Sequence, residues 1–334
     1  MSEKTIDVGR RMRMQERFMR IFSFSAIVIL LAALSFTQKG FLGTANLKTL
    51  LSDSAPLIIM ASGMTAVLLL GSIDLSMGAV CSVANVITVK VLNHYGPQIG
   101  SSFLTSALAL VLILAFGAFA GTLLGVIHVK FKVPSFIASL GFMSLWQSVA
   151  LLISPAPESV AKVMWDSVAW FKVTFGVVGL PLVLALIVIA ILYILQNNTT
   201  IGNSLYAIGG NERASRIAGL GVDRTKIMIF AVNGMCAALG GFFLVAKLRS
   251  SAPRVGDPFT LLIVASVALG GTSLTGGRGN ILGTLMGVFI VSIIQNGMNF
   301  IGVSAYWQNV VFGLFILAAV AISVDRSTRG LVIK

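Results

Sequence analysis

Long apolar runs separated by short polar connections recur from one end of this chain to the other. Ten of them lie at roughly 21–38, 54–72, 75–93, 103–127, 134–153, 176–195, 226–246, 259–276, 280–300 and 303–323. Each approaches the ~20 residues that a helix needs to cross ~30 Å of hydrocarbon. Residues 91–129, 173–211 and 279–324 contain no Asp, Glu, Lys or Arg at all. In lipid the backbone must satisfy its own polar groups, so runs of this length predict helices rather than open strands. The expected fold is all-α: a polytopic integral membrane protein with about ten transmembrane helices. Residues 21–324 form the transmembrane unit, between a basic tail at 1–20 and a short tail at 325–334. Only the connections 154–175 and 196–225 are long enough to hold structure of their own.

Charge placement orients the chain. An even number of spans puts both termini on one side, and placing that side in the cytoplasm leaves sixteen Lys and Arg inside against seven outside. The inner set includes Lys130, Lys132, Arg213, Arg216, Arg224, Lys226, Arg278 and the basic N-terminus. Lys247, Arg249 and Arg254 break the rule, since they fall in an outer loop. They precede the weakest span, 259–276, which ends in Gly270, Gly271, Gly276 and Gly277 and reads as either a full span or a re-entrant, broken helix. The cluster Lys4, Arg10, Arg11, Arg13, Arg17 and Arg20 ahead of Ile21–Phe36 resembles a secretory signal but lacks a convincing cleavage site, so an uncleaved first helix is expected. A 57% hydrophobic and 10% charged composition agrees with a membrane class, as does a mean hydropathy of +0.96. The net charge of +13 is dispersed along connections, which argues against a nucleic-acid partner. Cys81 and Cys236 sit in apolar runs and read as packing residues.

Several patterns bear on chemistry. Gly117, Gly121 and Gly125, like Gly279, Gly283 and Gly287, recur every four residues, the spacing of close helix packing within the chain. Ser292, Gln295, Asn296 and Asn299 share one face of the ninth span. Uncharged amides suit a hydroxyl-rich solute in a translocation pathway, and interhelical hydrogen-bond glue is an equally good reading. Asp74 stands in Gly71-Ser72-Ile73-Asp74-Leu75-Ser76 between apolar runs, where a carboxylate needs donors. A helix break capped by Asp74 is expected there, with a gate formed by Gly71, Asp74 and Ser76 as the alternative. In the inner connection, Gly210, Asn211, Glu212, Arg213 and Arg216 outline a short helix capped by Asn211 and ended by Gly219, fit to dock in a partner's groove. In the outer connection, Trp165, Trp170 and Phe171 suggest a helix at the lipid headgroups or a docking surface for an outer protein.

No phosphate-binding G-x-x-x-x-G-K-[ST] motif occurs, neither His94 nor His128 belongs to a metal-ligand pattern, and no nucleophile lies beside a base. No enzymatic activity, metal or cofactor is expected of this chain itself.

Five segments in sequence carry a resemblance: Gly71-Ser72-Ile73-Asp74-Leu75-Ser76-Met77-Gly78, Val133-Pro134-Ser135-Phe136-Ile137-Ala138-Ser139-Leu140-Gly141, Ala207-Ile208-Gly209-Gly210-Asn211-Glu212, Leu269-Gly270-Gly271-Thr272-Ser273-Leu274-Thr275-Gly276-Gly277-Arg278-Gly279, and Asn296-Gly297-Met298-Asn299. In order and spacing they resemble the permease subunits of bacterial ATP-binding-cassette sugar importers of the ribose type, from about residue 45 to 324. Ser72 departs from the family, which usually has Gly there. The resemblance implies an inner-membrane permease acting as a homodimer or with a paired paralogue. It further implies a cytoplasmic ATPase pair, an extracytoplasmic sugar-binding protein, and a monosaccharide substrate such as a ribose-like pentose, a hexose or a related polyol. It assigns ATPase coupling to Gly210, Asn211, Glu212, Arg213 and Arg216. The competing expectation is a stand-alone ion-coupled carrier, for which Asp74 is the one clear intramembrane acid.

Overall fold

The structure, a computed structural model, describes residues 25–36 and 38–323. The expected tails at 1–20 and 325–334 and the start of the first span lie outside the described residues. The chain folds into helices α1 (Ser25–Phe36), α2 (Thr44–Leu69), α3 (Met77–Ile99), α4 (Ser102–Lys130), α5 (Ser135–Ile153), α6 (Leu180–Asn198), α7 (Thr200–Gly210), α8 (Glu212–Ile217), α9 (Val222–Leu248), α10 (Asp257–Leu269), α11 (Ile281–Phe300) and α12 (Ala305–Ser323). Among the described residues, α2, α4, α5, α6, α9 and α11 are long and apolar enough to cross a membrane.

The α2 helix is the axis of the molecule. Every residue from Ser54 to Leu70 is buried, the state expected of a helix that is apolar on all sides. By contrast α4, α5 and α6 leave Val111, Phe119, Leu145, Leu152, Ile187 and Ile191 exposed, a surface suited to lipid. Between these layers the glycine ladders bring main chains together. A Cβ at Gly121 would lie 2.0 Å from the Phe230 carbonyl oxygen, and one at Gly117 2.4 Å from that of Gly234, so α4 and α9 touch backbone to backbone. The second ladder seats α11 on α10, where Gly287 meets the Ser266 carbonyl. Both stripes therefore serve contacts within the chain.

Two helices break in the same way, 200 residues apart. At the end of α2, Gly71 N–H donates to Leu68 O and Ser72 N–H to Val67 O; at the end of α10, Gly271 N–H donates to Ala268 O and Thr272 N–H to Val267 O. Gly71 and Gly271 both take positive φ, +73° and +82°, which a side chain would strain. Because the left-handed position is Gly71 and not Ser72, a serine fits at position 72 without strain. The expected span 259–276 contracts to α10, whose 13 residues reach about 20 Å and fall short of ~30 Å of hydrocarbon.

The outer connection has as its core a 3-10 helix at Lys162–Lys172, and its aromatic residues divide, Trp165 being exposed while the other two turn toward the protein. Phe171 is buried, Trp170 stacks on Phe242 at 5.9 Å and meets Phe243 edge-on at 5.0 Å, which pins the segment to α9. Short strands tie it down further, with Glu158 and Ser159 paired to Ser251 and Ser250. Two of the positive charges that break the charge rule are paired locally, Lys247 lying 3.0 Å from Asp53 and Arg254 2.7 Å from Asp257, while the Arg249 guanidinium sits over the Trp165 ring.

Candidate functional site

Three of the segments singled out in the sequence converge at one place. The inner connection holds two helices rather than one, with Thr199 capping α7 and Asn211 capping α8 by accepting from Ala214 N–H at 2.9 Å. The end of α7 is wedged between the two helix breaks. A Cβ at Gly209 would fall 1.8 Å from Leu69 O and 2.5 Å from Gly277 N, while one at Gly276 would meet Gly71 N at 2.7 Å. Gly277 N–H donates to Leu69 O at 2.9 Å, so the end of α2, the end of α7 and the loop after α10 form a single main-chain junction. Polar side chains brace it. The Tyr206 hydroxyl donates to Gly279 O at 2.9 Å, and Gln196 accepts from Ile281 N–H at 3.1 Å while its amide meets the Tyr206 hydroxyl. Gln196 and Tyr206 were not singled out in the sequence; their signal is only that of polar side chains within an uncharged run.

At the first break, Asp74 is buried and well supplied with donors. Its Oδ1 accepts from Ser76 N–H at 2.8 Å and Ser76 Oγ–H at 2.6 Å, and its Oδ2 accepts from Asn233 Nδ2 at 2.8 Å. The expected cap thus takes the form of a turn ahead of α3, with α9 contributing a donor that the local sequence does not announce. Ile73 N–H is met by Ser135 Oγ at 3.1 Å, which links a fourth segment, Val133–Gly141, to the same break.

On α8, Glu212 lies 3.0 Å from Arg216 and 2.7 Å from Lys226, and Arg216 also pairs with Asp223. Burial pushes the Glu212 carboxyl up, but the hydrogen bonds and charges of Lys226 and Arg216 outweigh it and hold the group below the usual carboxylate range. Arg213 and Ile217 point outward, Ile217 being 81% exposed. Gly219, at φ +80°, ends the segment as expected.

The polar stripe on α11 divides. Asn296 exchanges amide bonds with Asn46 of α2 at 2.9 and 3.1 Å, and Asn299 accepts from Gln308 of α12 at 2.7 Å. These two residues act as interhelical glue. Ser292 is buried and Gln295 is partly exposed, so the structure gathers the four on one helix face without joining them in one hydrogen-bonded group.

Comparison with known proteins agrees with this architecture. The family described as "branched-chain amino acid transport system / permease component" matches residues 46–320. The chain is 34% identical to the ribose import permease protein RbsC of Escherichia coli (strain K12), over 96% of this chain and 98% of that protein. It is also 34% identical to the RbsC of Bacillus subtilis (strain 168), over 91% and 92%. The galactose/methyl galactoside import permease protein MglC of Escherichia coli (strain K12) is 30% identical over 92% and 94%. No solved structure matches the chain. Matched over most of its length by this family, and carrying among its described residues six helices fit to cross a bilayer, the chain belongs to this family of multi-pass membrane permease components.

Proposed function

We propose that this chain is the pathway-forming subunit of an ATP-driven inner-membrane importer of a monosaccharide, a ribose-like pentose, a hexose or a related polyol. It contains no ATP-hydrolysing machinery of its own and works as a homodimer or with a paired paralogue. Cytoplasmic ATPase subunits press on α8, and an extracytoplasmic sugar-binding protein delivers the solute. Both termini lie in the cytoplasm, and α1, α3, α10 and α12 complete about ten membrane-inserted segments with the six long helices. Gly210, Asn211, Glu212, Arg213 and Arg216 receive the push of the ATPase. Gly71, Asp74 and Ser76 form the break that yields to it. Of the amide face, Ser292 and Gln295 line the pathway, while Asn296 and Asn299 hold its wall together.

The observation that carries this reading is the main-chain junction. A force applied to the inner connection through α8 and α7 reaches Gly209, and from there both helix breaks at once, with no flexible side chain in series. Rigid helices rocking about two such breaks would expose the pathway alternately to each side. The ribose and galactose relatives support the solute class. The importer reading gives Asp74 a structural role in the helix break, with Ser76 and Asn233 donating to its two oxygens.

The test is reconstitution in vesicles with the ATPase and binding protein. Arg213→Glu together with Arg216→Glu should lower ATP-dependent uptake tenfold or more and weaken copurification of the ATPase. Normal uptake in that variant, or accumulation of solute against a gradient by the permease alone, overturns the proposal.

A further inference from the structure

The inner helix α8 is too short to hold its own posture. Its six residues make little more than one turn, below the length at which a helix is stable alone. It presents only Ser215 as a buried residue. What fixes it to the molecule is a buried charge from another helix. The Lys226 side chain, on the first turns of α9, is 8% exposed and places Nζ 2.7 Å from Glu212 Oε2. On its other side Nζ meets His128 Nε2 at 3.4 Å, near the end of α4.

The tautomer of His128 follows from its second contact. Nδ1 lies 2.8 Å from the Val133 carbonyl oxygen, which can only accept, so Nδ1 carries the proton and Nε2 offers a lone pair to the ammonium. Lys226 therefore stands between an acceptor on α4 and a carboxylate on α8. The Arg216 pairs with Glu212 and Asp223 flank it at the surface, but they are about half exposed and contribute little in water. The pair made by the buried Lys226 ammonium with the partly exposed Glu212 is the connection between α8 and the two helices that pack backbone to backbone at Gly121 and Phe230.

We propose that Lys226 is a positioning residue for energy coupling: the Lys226–Glu212 pair, buttressed by His128, is the strut that carries displacement of α8 into the α4–α9 unit. This rests on the reading of α8 as the ATPase contact and adds a second route beside the glycine junction. Without the strut, α8 still meets the ATPase but swings on its own, so ATP is hydrolysed without moving the transmembrane helices. The ammonium is needed at that place, which a longer cation partly replaces and an isosteric apolar chain does not.

The experiment uses the complete transporter with ATPase and binding protein in proteoliposomes and measures sugar taken up per ATP hydrolysed, alongside copurification of the ATPase. Lys226→Met should lower that ratio tenfold or more while the ATPase still copurifies and hydrolyses ATP. Lys226→Arg should restore at least a third of the ratio, and the exchange Glu212→Lys with Lys226→Glu should recover more than Glu212→Lys alone. A ratio unchanged in Lys226→Met overturns the strut, as does equal loss in the single and exchanged variants when both are recovered folded and dimeric. Should Lys226→Met not fold, the Lys226→Arg ratio and the exchange decide alone. Failure of the wider reading has a different signature: the ATPase would bind the Arg213→Glu, Arg216→Glu protein as it binds the native one.

Discussion

Asn233 donates to Asp74 while its own Oδ1, buried, has no partner among the described residues, and this makes a single substitution informative. In Asp74→Asn the new amide can keep both Ser76 bonds, and a half-turn of the Asn233 amide lets its idle oxygen accept from it. Uptake in Asp74→Asn should stay within about threefold of native, as measured with labelled sugar, whereas a carrier that cycles a proton on Asp74 would be abolished. Asp74→Leu strands the Ser76 and Asn233 donors at about 1–3 kcal/mol each and should lower the unfolding midpoint in detergent. Gly209→Ala tests the junction: with main-chain oxygen 1.8 Å from the added carbon, relief requires backbone shifts of the kind that cost about 1–3 kcal/mol or more. Expected are a lower thermal midpoint and uncoupled ATPase; native behaviour of Gly209→Ala would remove the junction from the mechanism. At this scale the sequence was read well where chemistry is local, as in the Asn211 cap, and poorly where it is not. Nothing around Asn46, Asn233 or Lys226 foretells the partners Asn296, Asp74 and His128, which lie 250, 159 and 98 positions away.

Among helices, the uneven legibility has a physical cause. Apolar length identifies α4, α5, α6, α9 and α11 within a few residues, because lipid imposes one solution on such runs. The same signal overestimates α10, since the glycines that let Gly270 and Gly271 turn are counted as though they extended a span. For the outer aromatic residues it does not separate burial against α9 from residence among headgroups, because both demand similar composition. The electrostatics of α8 yields a pH prediction. Glu212 has a folded pKa below its unfolded value near about 4.3, so its stabilising pairs are intact above that value and lost as pH falls through the folded pKa. Hydrogen exchange at Ala214–Ala218 should be steady in protection between pH 8 and 6 and lose protection only below about pH 4; loss of protection already between pH 8 and 6 would remove Glu212 from this role.

For the molecule as a whole, the expected orientation is open to direct measurement. A cysteine replacing Ile217 should react with a membrane-impermeant maleimide only from the cytoplasmic side, and one replacing Gly176 only from the outside; the reverse pattern would invert the topology. Around the axis formed by α2, the two breaks at Gly71 and Gly271 repeat one geometry at distant points of the chain, which resembles the paired discontinuous helices of transporters built from internal repeats. The centre of the seam between them and α7, at Leu69, Gly71, Gly209, Gly276 and Gly277, is a contact of peptide backbone, and such a contact has no means of sensing which cargo is in transit. Selectivity can drift through evolution in residues elsewhere while the gearing stays fixed, and a permease whose outward half is exchanged for that of another such importer should still run on its original motor.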